Sequence, residues 1–298
     1  MRDLIGYGEK GVALQWPNAA RIAINFVLNY ESGAERSPAD GDDQSESYLT
    51  DLPGCTSRQG ERHLSVESMF EYGSRCGIWR LHRIFDQHQV PITVFACGRA
   101  LQRNLDYAKY LQDSQHEVAG HAYRWIDYHN IPIDVERQHI IQTLQLIKEL
   151  TGKPASGWYT GRKSAVTQQL VAEHHLLYQS DTYADDLPYW LNFNGNTQLM
   201  IPYTLVTNDC RYTTSPGIAC SKDFYHELKA AFDFQYAEAG QRTQLLTIAL
   251  HERISGRPSR AQAIRDFLQY VQDKPRVWIT TRAEIARFWH NQYPYKAV

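Results

Sequence analysis

Five polar clusters in this chain carry the residue types of acid–base chemistry, and each stands directly after a short apolar run. Glu31 follows Ile22 to Leu28 through Asn29 and Tyr30, and His121 follows Glu117 to Gly120. Tyr159 and Arg162 lie in Gly157-Trp158-Tyr159-Thr160-Gly161-Arg162, Asp181 and Tyr183 follow Leu177 to Ser180, and His251-Glu252-Arg253 follows Leu245 to Leu250. A carboxylate can take a proton from a water aimed at a carbonyl carbon. A histidine can then protonate the departing nitrogen or oxygen, and an arginine can stabilise the developing oxyanion.

Other chemistries lack their residues. There is no G-x-S-x-G elbow; in Gly73-Ser74-Arg75-Cys76-Gly77 the serine is misplaced and the segment has helical spacing. No H-E-x-x-H occurs, and the adjacent His174 and His175 diverge by ~100° on a helix, too far to share a metal. The five cysteines (Cys55, Cys76, Cys97, Cys210, Cys220) are scattered without a C-x-x-C pair, which predicts reduced structural thiols.

The elements that must position these groups alternate. Strands are predicted at Ile22 to Leu28, Val90 to Ala96, Glu117 to Ala122, Ser156 to Thr160, Leu177 to Thr182, Gln198 to Thr204, Leu245 to His251 and Val277 to Thr280. Between them helical spacing covers Glu67 to His88 with possible breaks at Gly73 and Gly77, Ala100 to Leu111, Asp134 to Leu150, Gln169 to His175, Phe224 to Ala237 and Ser259 to Val271. A last helix begins at Thr281-x-x-Glu284, a capping-box spacing, and runs through Trp289. The acidic, Ser-rich stretch from Ser32 to Arg62 has neither period and is expected to be a long surface loop, a lid or a binding loop.

Such alternation demands a mainly parallel sheet, and no G-x-G-x-x-G or G-x-x-x-x-G-K-[ST] follows any strand, so a nucleotide-binding open sheet is disfavoured. The expectation is an α/β fold: one distorted (β/α) barrel of about seven parallel strands, spanning residues 1–298 as a single domain. Its carboxyl ends would gather the five clusters into one pocket with aromatic walls.

Composition agrees with a globular enzyme. Of 298 residues 43% are hydrophobic and 21% charged, near the ~45–50% and ~25% of ordinary domains. A formal net charge of −2 gives no electrostatic reason to bind nucleic acid or an anionic membrane. No apolar run approaches the ~20 residues of a membrane span, and the first residues lack the apolar core of a secretory signal, so a cytoplasmic location is expected.

The strand-end segments, together with Arg2-Asp3-Leu4-Ile5-Gly6-Tyr7-Gly8, Glu67-Ser68-Met69, Ile201-Pro202-Tyr203-Thr204 and Gly256-Arg257-Pro258, resemble the polysaccharide deacetylase superfamily across nearly the whole chain. The likeness is strongest to its metal-independent branch of allantoinases and cyclic imide hydrolases. Metal-dependent members carry two adjacent aspartates after the first strand and two histidines four apart after the third. Here those positions read Glu31-Ser32 and His121 with Trp125, so of the three expected ligands only His121 survives.

The resemblance implies hydrolysis of a ring C–N bond in a small cyclic amide, most closely allantoin to allantoate, with no cofactor and no metal, by a homo-oligomer of tetrameric type. It makes Glu31 the general base, with His251 and His121 positioning water or moving protons. Tyr30, Trp125, Tyr159, Arg162, Asp181 and Tyr183 would bind substrate. Four positions depart from the branch: Ser32 stands for a second Glu, Ala122 for Gly, Glu252 for Cys and Val206 for Asp. They keep open three alternatives: a cyclic imide hydrolase, a metal-dependent polysaccharide N-deacetylase and a catalytically silent ligand-binding barrel.

Overall fold

A computed structural model describes residues 2–296. Its nine strands are β1 (Ile22–Tyr30), β2 (Thr93–Ala96), β3 (Glu117–Gly120), β4 (Gly157–Trp158), β5 (Tyr178–Gln179), β6 (Tyr189–Phe193), β7 (Asn196–Met200), β8 (Gln244–His251) and β9 (Val277–Ile279). They form one curled sheet in the order β6-β7-β5-β4-β3-β2-β1-β8, parallel throughout except for the antiparallel β6–β7 hairpin. β9 pairs with the first residues of β1, and β2 takes up the same edge from Val27 onward. The open side is narrowed where Thr207 O accepts the Ala249 amide at 3.0 Å and Asn208 bridges to Ala249. The expected α/β barrel is therefore borne out in its distorted, incompletely closed form.

Nine helices in the described residues cover the sheet: α1 (Leu64–Tyr72), α2 (Ile78–Gln87), α3 (Gly98–Arg103), α4 (Leu105–Asp113), α5 (Ile133–Thr151), α6 (Thr167–Ala172), α7 (Ser221–Glu238), α8 (Pro258–Gln272) and α9 (Arg282–Gln292). Several boundaries differ from expectation for local reasons. Pro91 lacks a ladder N–H, and β2 starts only at Thr93. Asn104 divides the helix expected at 100–111 by capping α4, its side chain accepting the Tyr107 amide. The strand expected at Gln198 to Thr204 lies instead at Asn196–Met200, and β6, which was not expected, joins it through Asn194-Gly195, whose φ values of 53° and 98° suit a tight turn.

All nine residues of β1 are buried, as a strand covered on both faces must be. Side chains alternate between two layers. Ile22, Ile24, Phe26, Leu28 and Tyr30 pack outward into the core beneath the helices, whereas Ala23 and Val27 face the barrel interior. That interior is closed below by Trp16 and Trp289 and held by Arg282, whose buried guanidinium donates to Ser180 Oγ, Ile201 O, Pro202 O and Thr247 Oγ1.

Gly73 and Gly77 do not break the first helix pair. They bound a π-helical turn joining α1 to α2, and the turn presses against the segment after β8. A Cβ on Gly77 would lie 1.9 Å from Glu252 O, and one on Gly256 would lie 2.3 Å from Gly77 Cα. The absence of side chains here is what lets Glu252 and Arg253 sit where they do. Gly77→Ala should cost about 3 kcal/mol in urea denaturation, by overpacking. Gly240→Ala, where nothing lies within 4 Å, should change stability by less than about 1 kcal/mol. Equal effects of the two would disprove the close-approach account.

Candidate active site

The carboxyl ends of β1, β3, β4 and β8 deliver Glu31, His121, Tyr159 and His251 to one cavity of about 110 Å³. Trp125, Arg162 and Tyr183 line it too, so seven of the nine site residues expected from sequence come together. Tyr30 and Asp181 do not. Alternation turns Tyr30 to the helix side of the sheet, where its hydroxyl meets Ser74 at 2.8 Å and its ring packs on Tyr107. Asp181 accepts the amides of Thr160 and Gly161, both at 2.8 Å, and so fixes the loop that carries Tyr159 and Arg162. It shapes the wall without being part of it.

Glu31 is the centre of the cavity floor and is 1% exposed. Its Oε1 faces His121 Nε2 at 3.1 Å and His251 Nε2 at 3.5 Å, and Arg253 donates to Oε2 at 2.5 Å. Burial alone would raise the carboxyl's pKa, but Arg253, His251 and His121 outweigh it and hold the group well below the usual carboxylate range. Glu31 is thus a buried anion held by Arg253 and two imidazoles.

The protons on the two histidines follow from their acceptors. His121 Nδ1 lies 2.6 Å from Tyr159 O, which can only accept, so that nitrogen carries a proton and Nε2 is left to face Glu31. His251 Nδ1 lies 2.6 Å from Asp209 Oδ1, while Asp209 Oδ2 accepts the amides of His251 and Ser255. Burial disfavours a charged His251, but Glu31 and Asp209 prevail and raise its pKa. Its Nε2 faces Glu31 Oε1 in the cavity.

Sequence reasoning gave no role to Asp209 or Arg253. The second was visible two residues after His251, and the first ends Thr204-Leu205-Val206-Thr207-Asn208-Asp209, yet only the fold brings them to Glu31 and His251. Arg253 spans the faces of Phe70 and Trp125 at 4.3 and 4.7 Å. Arg162 lies over Trp125 at 4.1 Å, with Nη2 bonded to Trp125 O and, at 3.2 Å, to Glu46. Glu46 belongs to the stretch from Ser32 to Arg62, which also supplies Tyr48 and Leu49 to the cavity wall.

The four departures leave the floor intact. Ser32 and Glu252 meet each other: Glu252 Oε1 accepts from Ser32 Oγ and from the Ser32 and Glu31 amides at 2.9 and 3.2 Å. This pair lies behind the floor, against Gly73, so Glu252 does not add a charge to the cavity. Burial favours its neutral form. Ala122 sits in the left-handed region at φ 61°, where glycine is at ease. Val206 is exposed, beside Leu205 at the mouth.

The donor set does not fit a metal. Both free imidazole nitrogens point at the one oxygen of Glu31, the guanidinium of Arg253 occupies the other, and the indole of Trp125 stands where a fourth-residue histidine would be needed. Among the described residues no group of three or more His, Cys, Asp or Glu is arranged to hold an ion.

Comparison with known proteins identifies the family. Residues 59–177 match the family model for polysaccharide deacetylase. A putative polysaccharide deacetylase of Schizosaccharomyces pombe is 37% identical, with 99% of each chain covered. The chain belongs to the polysaccharide deacetylase family. Two crystal structures superimpose closely, each 45% identical with 99% of both chains covered: Puue allantoinase, at a TM-score of 0.97, and a probable polysaccharide deacetylase from Pseudomonas aeruginosa PAO1, at 0.96. The fold and a hydrolase of this family follow.

Glu35, four residues past Glu31, faces a separate cavity of about 340 Å³ with Ser32 and Arg103. Burial pushes its carboxyl up to about 7, against the Gly33 amide and the positive charge of Arg253 and Arg103. Its folded value lies above the ordinary 4.5, so the unfolded chain releases this proton first as pH rises. Stability from this group is present below pH 4.5 and is lost towards pH 7, by about 3 kcal/mol. Glu35→Gln should remove that loss, giving a flatter stability curve in urea between pH 4.5 and 7.5; parallel curves for the two proteins would refute it.

Proposed function

We propose that this protein hydrolyses a ring C–N bond in a small cyclic amide without a metal ion, with allantoin, opened to allantoate, as the first substrate to test. The observation that carries the reading is the floor itself: one ionised carboxylate between two oriented histidines, in a small aromatic-walled cavity whose residues do not suit a metal. The similarity to Puue allantoinase supports it. The reading includes a role in purine breakdown, a small-molecule partner with no nucleic acid or membrane, and a cytoplasmic homotetramer. No helix among the described residues is long and apolar enough to cross a membrane.

In this mechanism Glu31 takes a proton from water as the water oxygen attacks the ring carbonyl carbon. His121 Nε2, 3.1 Å from Oε1, packs against the base and fixes its position. The tetrahedral intermediate collapses with cleavage of the ring C–N bond, and His251 Nε2–H delivers its proton to the leaving nitrogen. Asp209 keeps the opposite nitrogen of His251 protonated, which directs Nε2 to the substrate. Arg162 would bind a substrate oxygen through the nitrogens that Glu46 and Trp125 leave free. Arg253 keeps Glu31 ionised, and the cost is a weaker base, which orientation and exclusion of bulk water must offset.

The deciding assay compares allantoin, hydantoin, dihydrouracil, succinimide and an N-acetylglucosamine oligomer, using metal-stripped protein with and without zinc. A cyclic compound should turn over without metal, and Glu31→Gln should lower kcat about a thousandfold with the fold retained by circular dichroism. Turnover of the sugar alone, only with zinc, would favour the metal-dependent N-deacetylase; turnover of nothing, with a ring compound still bound, would favour a silent barrel.

The pH profile provides an independent check. With Glu31 held far below its ordinary value, kcat/KM should show no acid limb from this group between pH 4 and 7. Arg253→Met removes the largest opposing charge, so the carboxyl's pKa should rise and the acid limb should move to higher pH than in the unaltered protein. The alkaline limb should lie above the ordinary histidine range, because His251 is the acid and its pKa is raised. Asp209→Asn should move that limb to lower pH. An unmoved limb would remove His251 from the role of acid.

A further inference from the structure

Tyr203 follows β7 in the segment Ile201-Pro202-Tyr203-Thr204 and lines the same cavity as Glu31, His121, Tyr159 and His251, yet it takes no part in the base and acid steps. It is held from several sides. Its amide donates to Thr182 O at 2.9 Å, and the two carbonyls before it accept from the Arg282 guanidinium at 2.9 and 2.8 Å. Its ring stacks on Tyr159 with centroids 3.9 Å apart, and only 5% of the residue is exposed.

The hydroxyl has a proton left to give. Asn29 Nδ2 lies 3.0 Å from Leu250 O, which can only accept, so this nitrogen is the donor end of the amide. The same nitrogen lies 2.7 Å from the Tyr203 hydroxyl and donates its second N–H there. The hydroxyl oxygen is therefore an acceptor towards Asn29, and its own O–H meets no acceptor among the described residues. Burial raises the phenol's pKa well above its ordinary 10, and the charge of Glu31 adds to the rise, so the proton stays in place across the pH range of an assay.

The anchor of this hydroxyl belongs to the floor. Asn29 stands two residues before Glu31 on the interior face and pairs with His251 across β1 and β8. The hydroxyl is thus fixed at the foot of the cavity, between the strands that carry the base and the acid. A donor that is buried, immobile and unspent stabilises an oxyanion well, because nothing needs to reorganise as the charge develops. Arg162 stands at a different wall, over Trp125 and tied to Glu46.

We propose that Tyr203 is a catalytic residue for ring opening: its O–H donates to the oxygen of the carbonyl under attack and holds the negative charge of the tetrahedral intermediate. This rests on the ring-opening reading and adds the group that steadies its intermediate. Water's oxygen bonds to the carbonyl carbon, Glu31 takes the water proton, and the carbonyl electron pair moves to the oxygen facing Tyr203, which keeps its own proton. The C=O re-forms as the C–N bond breaks, and the nitrogen leaves with the proton of His251.

Tyr203→Phe keeps the ring and its stack and removes the donor. On whichever of allantoin, hydantoin, dihydrouracil or succinimide the unaltered protein opens fastest, kcat should fall about a hundredfold, the scale of a lost oxyanion donor, with KM changed by less than about threefold. The same ring with sulfur in place of the reacting oxygen separates chemistry from structure, since a thiocarbonyl is a poor hydrogen-bond acceptor. The ratio of oxygen to sulfur turnover should fall about tenfold in Tyr203→Phe, whereas a disturbed fold would slow both rings alike and leave the ratio unchanged. A loss in kcat of less than about threefold, or an unmoved ratio, would overturn the assignment. Should Tyr203→Phe not fold, 3-fluorotyrosine at position 203 keeps the Asn29 bond and makes a stronger donor: kcat should rise, and an unchanged or lower kcat would overturn the assignment equally. Ring opening indifferent to Tyr203 defeats this inference alone; no opening of any ring defeats the ring-opening reading and this inference with it.

Discussion

A negative charge buried almost completely is the constraint around which the rest is arranged. An isolated carboxylate could not remain ionised at such a depth, and removing one partner from a buried pair typically costs ~3–5 kcal/mol. Glu31 is kept charged by Arg253 and by two imidazoles, and each of these depends on something further away. Arg253 depends on the glycines that let the π-turn approach the segment after β8. His121 depends on Tyr159 O, and His251 on Asp209. The parallel sheet sets all of these groups at one end, and its twist brings strands distant in sequence within hydrogen-bonding reach.

The buried charges also separate cleanly by face. Glu31 and His251 belong to the barrel interior, whereas Ser32 and Glu252, one residue on in each case, belong to the helix side. A single-residue step along a strand end therefore moves a carboxylate from the reacting floor to its support. Ser32 and Glu252, two of the positions that differ from the branch pattern this sequence resembles, become one contact, which ties the amides of Glu31 and Ser32 from behind. The anion of the cavity floor and the carboxyl that holds its backbone are adjacent without sharing a cavity.

Much of this was legible in the sequence because strands buried on both faces read as unbroken apolar runs. β1 and β8 were recognisable for that reason, as was the polar cluster after each. Tyr30 and Asp181 were misassigned because proximity to a strand end carries no information on side-chain direction; parity does, and it points Tyr30 to the helices. Two-residue strands such as β4 and β5 leave almost no periodic trace, so their ends were read too long. Arg253 stands inside the polar cluster after β8, but its partner, like that of Asp209, is fixed by turns whose geometry no hydrophobic period encodes.

Arg282 and β9 impose an order of assembly. β1 is among the first elements made, yet the outer half of one of its edges is completed by Val277 to Ile279, and the barrel interior is tied together by the guanidinium that follows. A nascent chain that has emerged only through β8 has a sheet with an unfilled edge and four polar groups in its interior still awaiting their donor. Contacts of such long sequence separation form slowly. Until Val277 to Ile279 and Arg282 are in place, the edge of β1 and the polar interior stay incomplete, and the unfinished sheet is exposed to its own neighbours.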